Sequence, residues 1–261
     1  MNALLCLAIS FFASVGGAIC GIGGGVIIKP VMDLFQVADV AAISFLSGCT
    51  VLSMSSYSVG KSILSGEKAV NLRSGTPLAL GAALGGILGK QLFSWIRNFT
   101  GDPQFIGGIQ SLCLAAVTLV TLIYVLKKQN IRTLSVNSAM LSAFIGCFLG
   151  LMSSFLGIGG GPINLVVLGY FFGMSTKIAA ANSLYIIFFS QTANLLSTIL
   201  SSSVPEVELM TLILMICGGI GGGIAGRAVS KRIKDSTVDK LFVVLIMIII
   251  LISLYNAWNY F

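Results

Sequence analysis

Long apolar segments separated by short polar loops run through the whole chain. Three segments in each half have about the 20 residues that a membrane-spanning helix needs. The first segment of each half is longer and contains a glycine cluster. In order, the segments cover about 3–36, 38–59, 75–96, 104–126, 137–173, 177–200, 207–229 and 238–258. This pattern predicts an all-α, polytopic helical membrane protein.

The same five residues, Gly-Ile-Gly-Gly-Gly, interrupt the two longer segments at 21–25 and at 157–161. Glycine is a poor residue for a helix interior, so a cluster of this density predicts a break in the backbone. Inside a membrane, broken backbone is tolerated only where protein or a polar cavity satisfies its hydrogen-bonding groups. Paired breaks in two halves of a chain are typical of a transporter's binding site.

Three landmarks recur in the same order in the two halves. The glycine clusters lie 136 residues apart, residues 40–44 resemble 178–182 at an offset of 138, and residues 81–90 resemble 218–227 at an offset of 137. Three matches in register indicate an internal repeat. The predicted division is a first transmembrane repeat at 1–126, a basic cytoplasmic linker at 127–136 and a second transmembrane repeat at 137–261.

Small residues at a spacing of four recur within the third landmark. Gly85 and Gly89 form one such pair, and Gly222 and Gly226 form the other. Glycines at this spacing let two helix backbones approach closely in a membrane. We therefore expect these helices to make contacts between the two halves.

The basic residues of the loops indicate how the interrupted segments run. If each segment crosses the membrane once, Lys and Arg are divided almost evenly between the two faces. If each folds back as a hairpin at its glycines, only Lys90 and Arg97 lie on one face, and the other face carries Lys61, Lys68, Arg73, Lys127, Lys128, Arg132, Lys177, Arg227, Lys231, Arg232, Lys234 and Lys240. The second arrangement is what the positive-inside rule favours.

The hairpin arrangement has consequences for topology. It predicts six full spans and two hairpins in a multi-pass protein of the cytoplasmic membrane, with both termini outside. Each half then has an odd number of crossings, which makes the halves inverted repeats. An alternative stays open: a hairpin arm of 18–20 residues is long enough to span by itself. Each hairpin would then be a pair of helices with the same sidedness.

The composition removes several classes of function. Hydrophobic residues make up 56% and charged residues 9% of the chain, against about 25% charged residues in soluble domains. The net charge of +7 fits basic cytoplasmic loops, and nucleic acid is not expected as a partner. The chain has no histidine, and its six cysteines form no C-x-x-C pair. Metal, redox and most hydrolytic chemistry are therefore not expected, and no cofactor is predicted.

Short apolar stretches follow both glycine clusters, at 26–35 and 162–172. If both are helices, their N-termini direct free backbone N–H groups and a partial positive charge into the protein, which favours an anion. The alternative is that the glycines serve only close helix packing. The first interpretation makes the glycines substrate-binding residues: Gly23, Gly24, Gly25, Gly159, Gly160 and Gly161.

Lys29 and Asp33 are the only charged residues between 3 and 38. At a spacing of four they share a helix face and can pair. A charge within the bilayer is costly and is usually paired or functional. Lys29 is thus a candidate for anion binding and Asp33 for anion binding or proton transfer. The alternative is a pair that reaches toward the membrane surface.

Polar uncharged residues are frequent in the segment after each hairpin. Ser44 and Asn182 begin these segments and align with one another, and Gln191 aligns with Ser53. Hydroxyl and amide donors can bind an oxyanion, so Ser44, Asn182 and Gln191 are candidate substrate contacts. The alternative for all three is hydrogen bonding between helices.

The two motifs in their sequence context resemble the sulfite exporter TauE/SafE family of membrane transporters. The first copy reads GIGGGVIIKPV and the second GIGGGPINLVVLGYFFGMSTKIAAANS. The resemblance covers essentially the whole chain. It implies a secondary carrier for small sulfur-containing or organic anions such as sulfite and sulfonates. The second copy has no proline aligned with Pro30, so two identical half-sites are not expected.

These inferences together predict a carrier that holds an anion between the two glycine breaks and works by alternating access. The expected partners are a small anion, the lipid bilayer and a coupling proton or other ion, and a homo-oligomer stays open. Asp33 and Glu67 are the candidates for proton coupling. The alternatives are an anion channel or passive pore, and a membrane-embedded sulfur-handling or biogenesis factor that uses Cys20.

Overall fold

The computed structural model describes residues 3–65, 72–100 and 103–260, which form helices and connecting loops without a strand. Glu67 lies outside the described residues. The helices are α1 Ala3–Cys20, α2 Gly25–Leu34, α3 Val40–Leu64, α4 Leu72–Thr100, α5 Pro103–Lys127, α6 Ala139–Phe155, α7 Pro162–Phe172, α8 Thr176–Leu200, α9 Leu209–Arg232 and α10 Asp235–Tyr260, with a short 3-10 helix at Lys128–Asn130.

The prediction of an all-helical membrane protein is confirmed. Each glycine cluster separates two helices, α1 from α2 and α6 from α7, as the pattern indicates. Seven of the described helices are long and apolar enough to cross a membrane, namely the six predicted spans and α1. The first arm of the first hairpin is therefore itself of spanning length, whereas α2 has 10 residues and α7 has 11.

Local signals in the sequence fix the ends of several helices. The Asp39 carboxylate accepts a hydrogen bond from the N–H of Ala42 at 3.1 Å and caps α3. Pro162 occupies the first turn of α7, where its missing N–H costs nothing. Gly173 ends α7 in the left-handed region at φ 62°, which glycine adopts without strain.

The α6–α7 pair folds back on itself. Residues just before α6 lie beside the end of α7, because the N–H groups of Leu134 and Val136 donate to the carbonyls of Tyr170 and Phe171 at 2.7 and 2.9 Å. Near the same place, Lys128 forms a 2.6 Å ion pair with Asp239. We call this the basic end of the helix bundle.

The α1–α2 pair reaches the other end of the bundle. Near the C-terminus of α2, the carbonyl of Pro30 accepts a hydrogen bond from Asn256 at 2.8 Å, and Asp33 is hydrogen-bonded to Tyr260. Helix α10 begins at the basic end, near Asp239, and Asn256 and Tyr260 lie at its other end. We call this second place the opposite end.

Glycine stripes join each hairpin to a helix of the other half. Three glycines of α4 contact successive turns of α6 in the same direction: Gly81 at Ala143, Gly85 at Cys147 and Gly89 at Leu151. Three glycines of α9 contact α1 in the same way: Gly218 at Leu7, Gly222 at Phe11 and Gly226 at Val15. In all six contacts the glycine lies against a backbone carbonyl. The predicted contact between halves through Gly85, Gly89, Gly222 and Gly226 is confirmed.

We expect the Gly85→Ala substitution to destabilise the protein by about 1–3 kcal/mol, which is the usual cost of overpacking. The added methyl would overlap the carbonyl of Cys147, a backbone group that cannot move aside. Gly60→Ala is the matched control, because an added Cβ at Gly60 meets nothing within 4 Å. Thermal unfolding in detergent measures both variants. Equal melting temperatures would contradict the expected role of the stripe.

Candidate functional site

The two glycine breaks meet inside the protein. Gly25 lies so close to the Ile158 carbonyl that a Cβ would overlap it, and the Gly159 carbonyl is 3.7 Å from the Cβ position of Gly23. Both breaks use left-handed backbone: φ is 73° at Gly23 and 68° at Gly159, a region that residues with side chains rarely adopt. The close approach therefore requires glycine at position 25, and the backbone turns of the two breaks favour glycine at positions 23 and 159.

The lengths of the short helices indicate the depth of this contact. At 1.5 Å per residue, α2 is about 15 Å and α7 about 17 Å long. Together they match the hydrocarbon core of a bilayer, which is about 30 Å thick. Because α2 ends near the opposite end and α7 near the basic end, the breaks meet near mid-depth.

An apolar layer covers the breaks. Val51 of α3 and Ile187 of α8 are both buried, and each lies 3.4 Å from the Cβ position of Gly23. Ile187 also lies against Gly160, where φ is 139°. The two long helices that follow the hairpins thus close over the breaks with one aliphatic side chain each.

A cavity of about 100 Å³ lies on one side of the breaks. Its lining runs from Ser203 and Pro205, in the loop between α8 and α9, to Gly157 in the second break. Lys90 also lines it and donates a hydrogen bond to Ser203 at 3.0 Å. The loop lies where α8 ends, away from the basic end, so the cavity faces the opposite end. A volume equal to about three water molecules suits a small ligand.

The ammonium group of Lys29 lies beside the inner end of this cavity. Lys29 is only 3% exposed, and its Nζ is 3.2 Å from the Cβ position of Gly157. It donates to the Gln110 side chain and to the Leu156 carbonyl, the latter at 2.8 Å. Gln110 in turn donates to the Phe155 carbonyl at 2.5 Å. The cation therefore lies at the C-terminal end of α6, where the helix dipole favours positive charge.

The expected pairing of Lys29 with Asp33 is wrong. The described residues form no ion pair between them, because acceptors on α5 and α6 bind the ammonium group while Asp33 is hydrogen-bonded to Tyr260. Two bonds leave one of the three N–H donors of Lys29 without a partner in the described structure. That donor is available beside Gly157.

Three further polar residues line the cavity without satisfying their hydrogen-bonding atoms. The hydroxyls of Ser44 and Ser154 and the Oε1 of Gln191 are buried and have no partner among the described residues. Leaving a buried polar group unpaired costs about 1–3 kcal/mol. Serine hydroxyls donate, and an amide presents either its oxygen or its NH₂ group after a flip. These three side chains can therefore form hydrogen bonds with a polar ligand in the cavity.

The structure brings together some of the predicted site residues. Lys29, Ser44 and Gln191 meet at Gly157 and Gly159 of the second break. Gly24 instead lies against Ser14 of α1, and Gly161 against Ile158. None of the six predicted glycines lines the cavity; the break residue that does is Gly157.

Asn182 does not lie with the other candidates. It is fully buried, donates to the Ile178 carbonyl at 2.8 Å and faces Gly75 of α4. The alignment of Ser44 with Asn182 is also corrected, since the contact of Gly157 with Ser44 recurs as a contact of Gly21 with Ala180. Equivalent positions of α3 and α8 are therefore 136 residues apart, whereas the sequence match gave an offset of 138.

Gln110, Ser154 and Lys90 also line the cavity and were not among the site residues predicted from the sequence. Two of them carried a signal: Gln110 is an amide well inside the strongly apolar span 104–127, and Lys90 is a cation inside the span 75–96. Polar residues at such positions in a membrane mark functional sites or helix contacts. Ser154, three residues before the second glycine cluster, has no feature in the sequence that distinguishes it from other serines of the apolar segments.

Cys20, the residue that a sulfur-handling factor would use, does not line the cavity. Cys20 is fully buried in an apolar cluster with Ile19 and Ile22, out of reach of the cavity. No group of three His, Cys, Asp or Glu residues able to hold a metal ion occurs in the part of the chain that the structure describes.

Comparison with known proteins gives a consistent result. The family model "Sulfite exporter TauE/SafE" matches residues 6–253, which include both breaks. The probable membrane transporter protein YunE of Bacillus subtilis (strain 168) is 24% identical over 272 residues, covering 97% of this chain and 95% of the relative. No solved structure matches the chain significantly.

We expect Gly157→Ala to destabilise the protein by about 1–2 kcal/mol, because φ is 65° and the left-handed region is costly for alanine. The methyl would also press on Ser44 and on the Lys29 ammonium group. Gly221→Ala in α9 is the control, since its Cβ makes only ordinary contact with the Phe11 ring at 3.5 Å. Thermal unfolding compares the two, and an unchanged melting temperature for Gly157→Ala would contradict the positive-φ turn.

Proposed function

The chain belongs to the sulfite exporter TauE/SafE family, a family of membrane transporters, and on this basis we propose that it is a secondary carrier for a small anion. The observation that carries the proposal is the Lys29 ammonium group, buried beside the second break at the end of a small cavity. Sulfite, a sulfonate or a related organic anion is the proposed substrate, held between the breaks and moved by alternating access.

The electrostatics of the cavity favour an anion. Lys90 lies near its mouth and Lys29 near its inner end, so a negative solute meets a cation at both depths. The hydroxyls of Ser44 and Ser154 supply neutral donors between them. The N-termini of α2 and α7 approach each other at the breaks and add the positive ends of two helix dipoles.

The packing supports a mechanism with inverted repeats. The contact of α4 with α6 recurs as the contact of α9 with α1, displaced by one repeat. The α1–α2 hairpin is reached from the opposite end and the α6–α7 hairpin from the basic end. Two equivalent units in opposite orientations allow two equivalent states, one open to each side.

A cavity of about 470 Å³ also lies at the basic end, but no residue of either glycine break lines it. We infer that the protein is in a state open toward the opposite end, which the cavity beside Lys29 reaches, and closed at the basic end. There, Lys128 pairs with Asp239 at 2.6 Å, and Thr176 donates to the same carboxylate at 2.8 Å. These bonds join the end of α5, the start of α8 and the start of α10. We infer that they must separate when the carrier opens toward the basic end.

The basic residues orient the protein in this proposal. The positive-inside rule places the basic end in the cytoplasm, so the cavity opens outward and both termini are outside. Protease-cleavable tags at the two termini of the protein in spheroplasts test the orientation. We expect external protease to remove both tags and to spare a tag inserted after Gln129. Protection of the terminal tags would reverse the proposed orientation.

Flux into proteoliposomes tests the transport activity. We expect saturable uptake of one anion class when sulfite, sulfate, methanesulfonate and acetate are offered, with counterflow when the unlabelled anion is trapped inside. Lys29→Met should lower uptake at least tenfold, because no cation then balances the anion. Lys61→Met, at an exposed position at the end of α3, is the charge-matched control.

The outcomes separate the alternatives. Unsaturable flux without counterflow would indicate a channel or passive pore. Uptake by a folded Lys29→Met protein at the rate of the Lys61→Met control would remove Lys29 from the site. Absence of flux for every anion, with folded protein in the vesicles, would contradict the anion carrier.

A further inference from the structure

A second cavity lies at the opposite end of the bundle, beside the last turn of α2. Its volume is about 510 Å³, and Asp33, Asp39, Gln104 and Tyr260 are among its lining residues. It is separate from the anion cavity, and no residue lines both. Its one deeply buried acidic group is Asp33, which is 6% exposed.

The Asp33 carboxyl group is only partly satisfied. Its described hydrogen bond is with Tyr260, and its Oδ1 is buried without a partner among the described residues. No Lys or Arg of the described chain forms an ion pair with it. Buried carboxylates are normally paired, because an isolated charge is costly away from water. A carboxyl group in this position can hold a proton on the free oxygen.

The charge of Lys29 connects this carboxyl group to the anion site. The two residues lie one helical turn apart on α2, about 6 Å along the axis. Without substrate, one positive and one negative charge balance within this part of the protein. An anion beside Lys29 adds a second negative charge in a low-dielectric region, where charges interact strongly. A proton on Asp33 removes that excess.

Few other ionisable groups face Asp33. Tyr260 comes from α10, and Asp39 comes from the start of α3, where its carboxylate already caps the helix. From α1, Cys6 belongs to the apolar cluster that includes Met32 beside Asp33. Among the described residues, Lys29 is the cation that acts on this carboxyl group, and in the proposal the anion and Asp33 share its charge.

We propose that Asp33, hydrogen-bonded to Tyr260, is a proton-binding site that couples transport to protons. The inference rests on the proposed carrier function and deepens it. A proton enters from the opposite end, binds Asp33 when the anion binds near Lys29, and leaves with the anion on the other side. Binding of each partner strengthens binding of the other by the same factor, as linkage requires. A monovalent anion and one proton then cross together without net charge.

Methanesulfonate is a suitable probe, because it stays a monoanion over the working pH range. Purified protein in proteoliposomes, with the membrane potential clamped by potassium and valinomycin, is given an acidic exterior. We expect the wild type to accumulate labelled methanesulfonate and to acidify a trapped pH dye. Asp33→Asn should retain counterflow and lose at least tenfold in pH-driven accumulation. Glu206→Gln, in the loop at the same end, is the control and should behave as the wild type.

Several results would overturn the coupling. One is wild-type counterflow without pH-driven accumulation, and another is full accumulation by Asp33→Asn. A folded Asp33→Asn protein that loses counterflow as well would place Asp33 in the anion site or the moving parts. If Asp33→Asn does not fold, Tyr260→Phe keeps the carboxyl group and should shift the pH dependence of accumulation; an unchanged profile would contradict the proposal. Absence of all flux in the wild type would instead overturn the carrier function itself.

Discussion

The close contact between two broken backbones is the constraint on which the rest of the structure depends. Gly25 lies against the Ile158 carbonyl and Gly23 near Gly159, so a side chain on Gly25 would overlap the other break. Backbone groups freed from helices inside a bilayer must be satisfied within the protein. The surrounding helices therefore have to approach closely and exclude lipid. The glycine stripes of α4 and α9 meet this requirement by holding α6 and α1 at backbone distance.

Those stripes also determine which parts can move together. Helix α1 of the first repeat is held by α9 of the second, and α6 of the second repeat is held by α4 of the first. The sequence repeats are therefore not separate packing units. A rigid movement of one repeat against the other would break the six glycine contacts of the two stripes at once. Movement that keeps each hairpin with its glycine helix would leave these contacts intact and would take place at the breaks, which Val51 and Ile187 cover.

The helices and breaks were predictable because they depend on patterns along the chain. Apolar length gave the spans, and the density of glycine gave the breaks at 21–25 and 157–161. The bounds of α8, at 176–200, differ from the prediction by one residue. The contacts of Gly85 and Gly222 with the other half were also predictable, because glycines four residues apart in a membrane helix are typical of close helix–helix packing.

The composition of the site was less predictable, because it depends on contacts between distant segments. Spacing alone made Asp33 the partner of Lys29, and no local rule indicates that Gln110, which is 81 residues away, accepts from the ammonium group instead. The alignment of Ser44 with Asn182 failed for a related reason. The small residues near Ser44 and Asn182 allow α3 and α8 to be aligned in two registers that sequence similarity cannot distinguish. The contacts of Ser44 with Gly157 and of Ala180 with Gly21 select one of these registers.

The repeat is symmetric in backbone and asymmetric in charge. By the same offset of 136 that relates the breaks, Lys29 corresponds to Leu165 and Asp33 to Gly169. Both charges of the pair thus occur in the first repeat alone, while the second supplies the glycine turn and the carbonyl that Lys29 binds. Symmetry in the scaffold allows two states of similar energy. In the proposed carrier, one buried lysine between the breaks would bind one anion at a time and would keep that anion beside the same residue in both states.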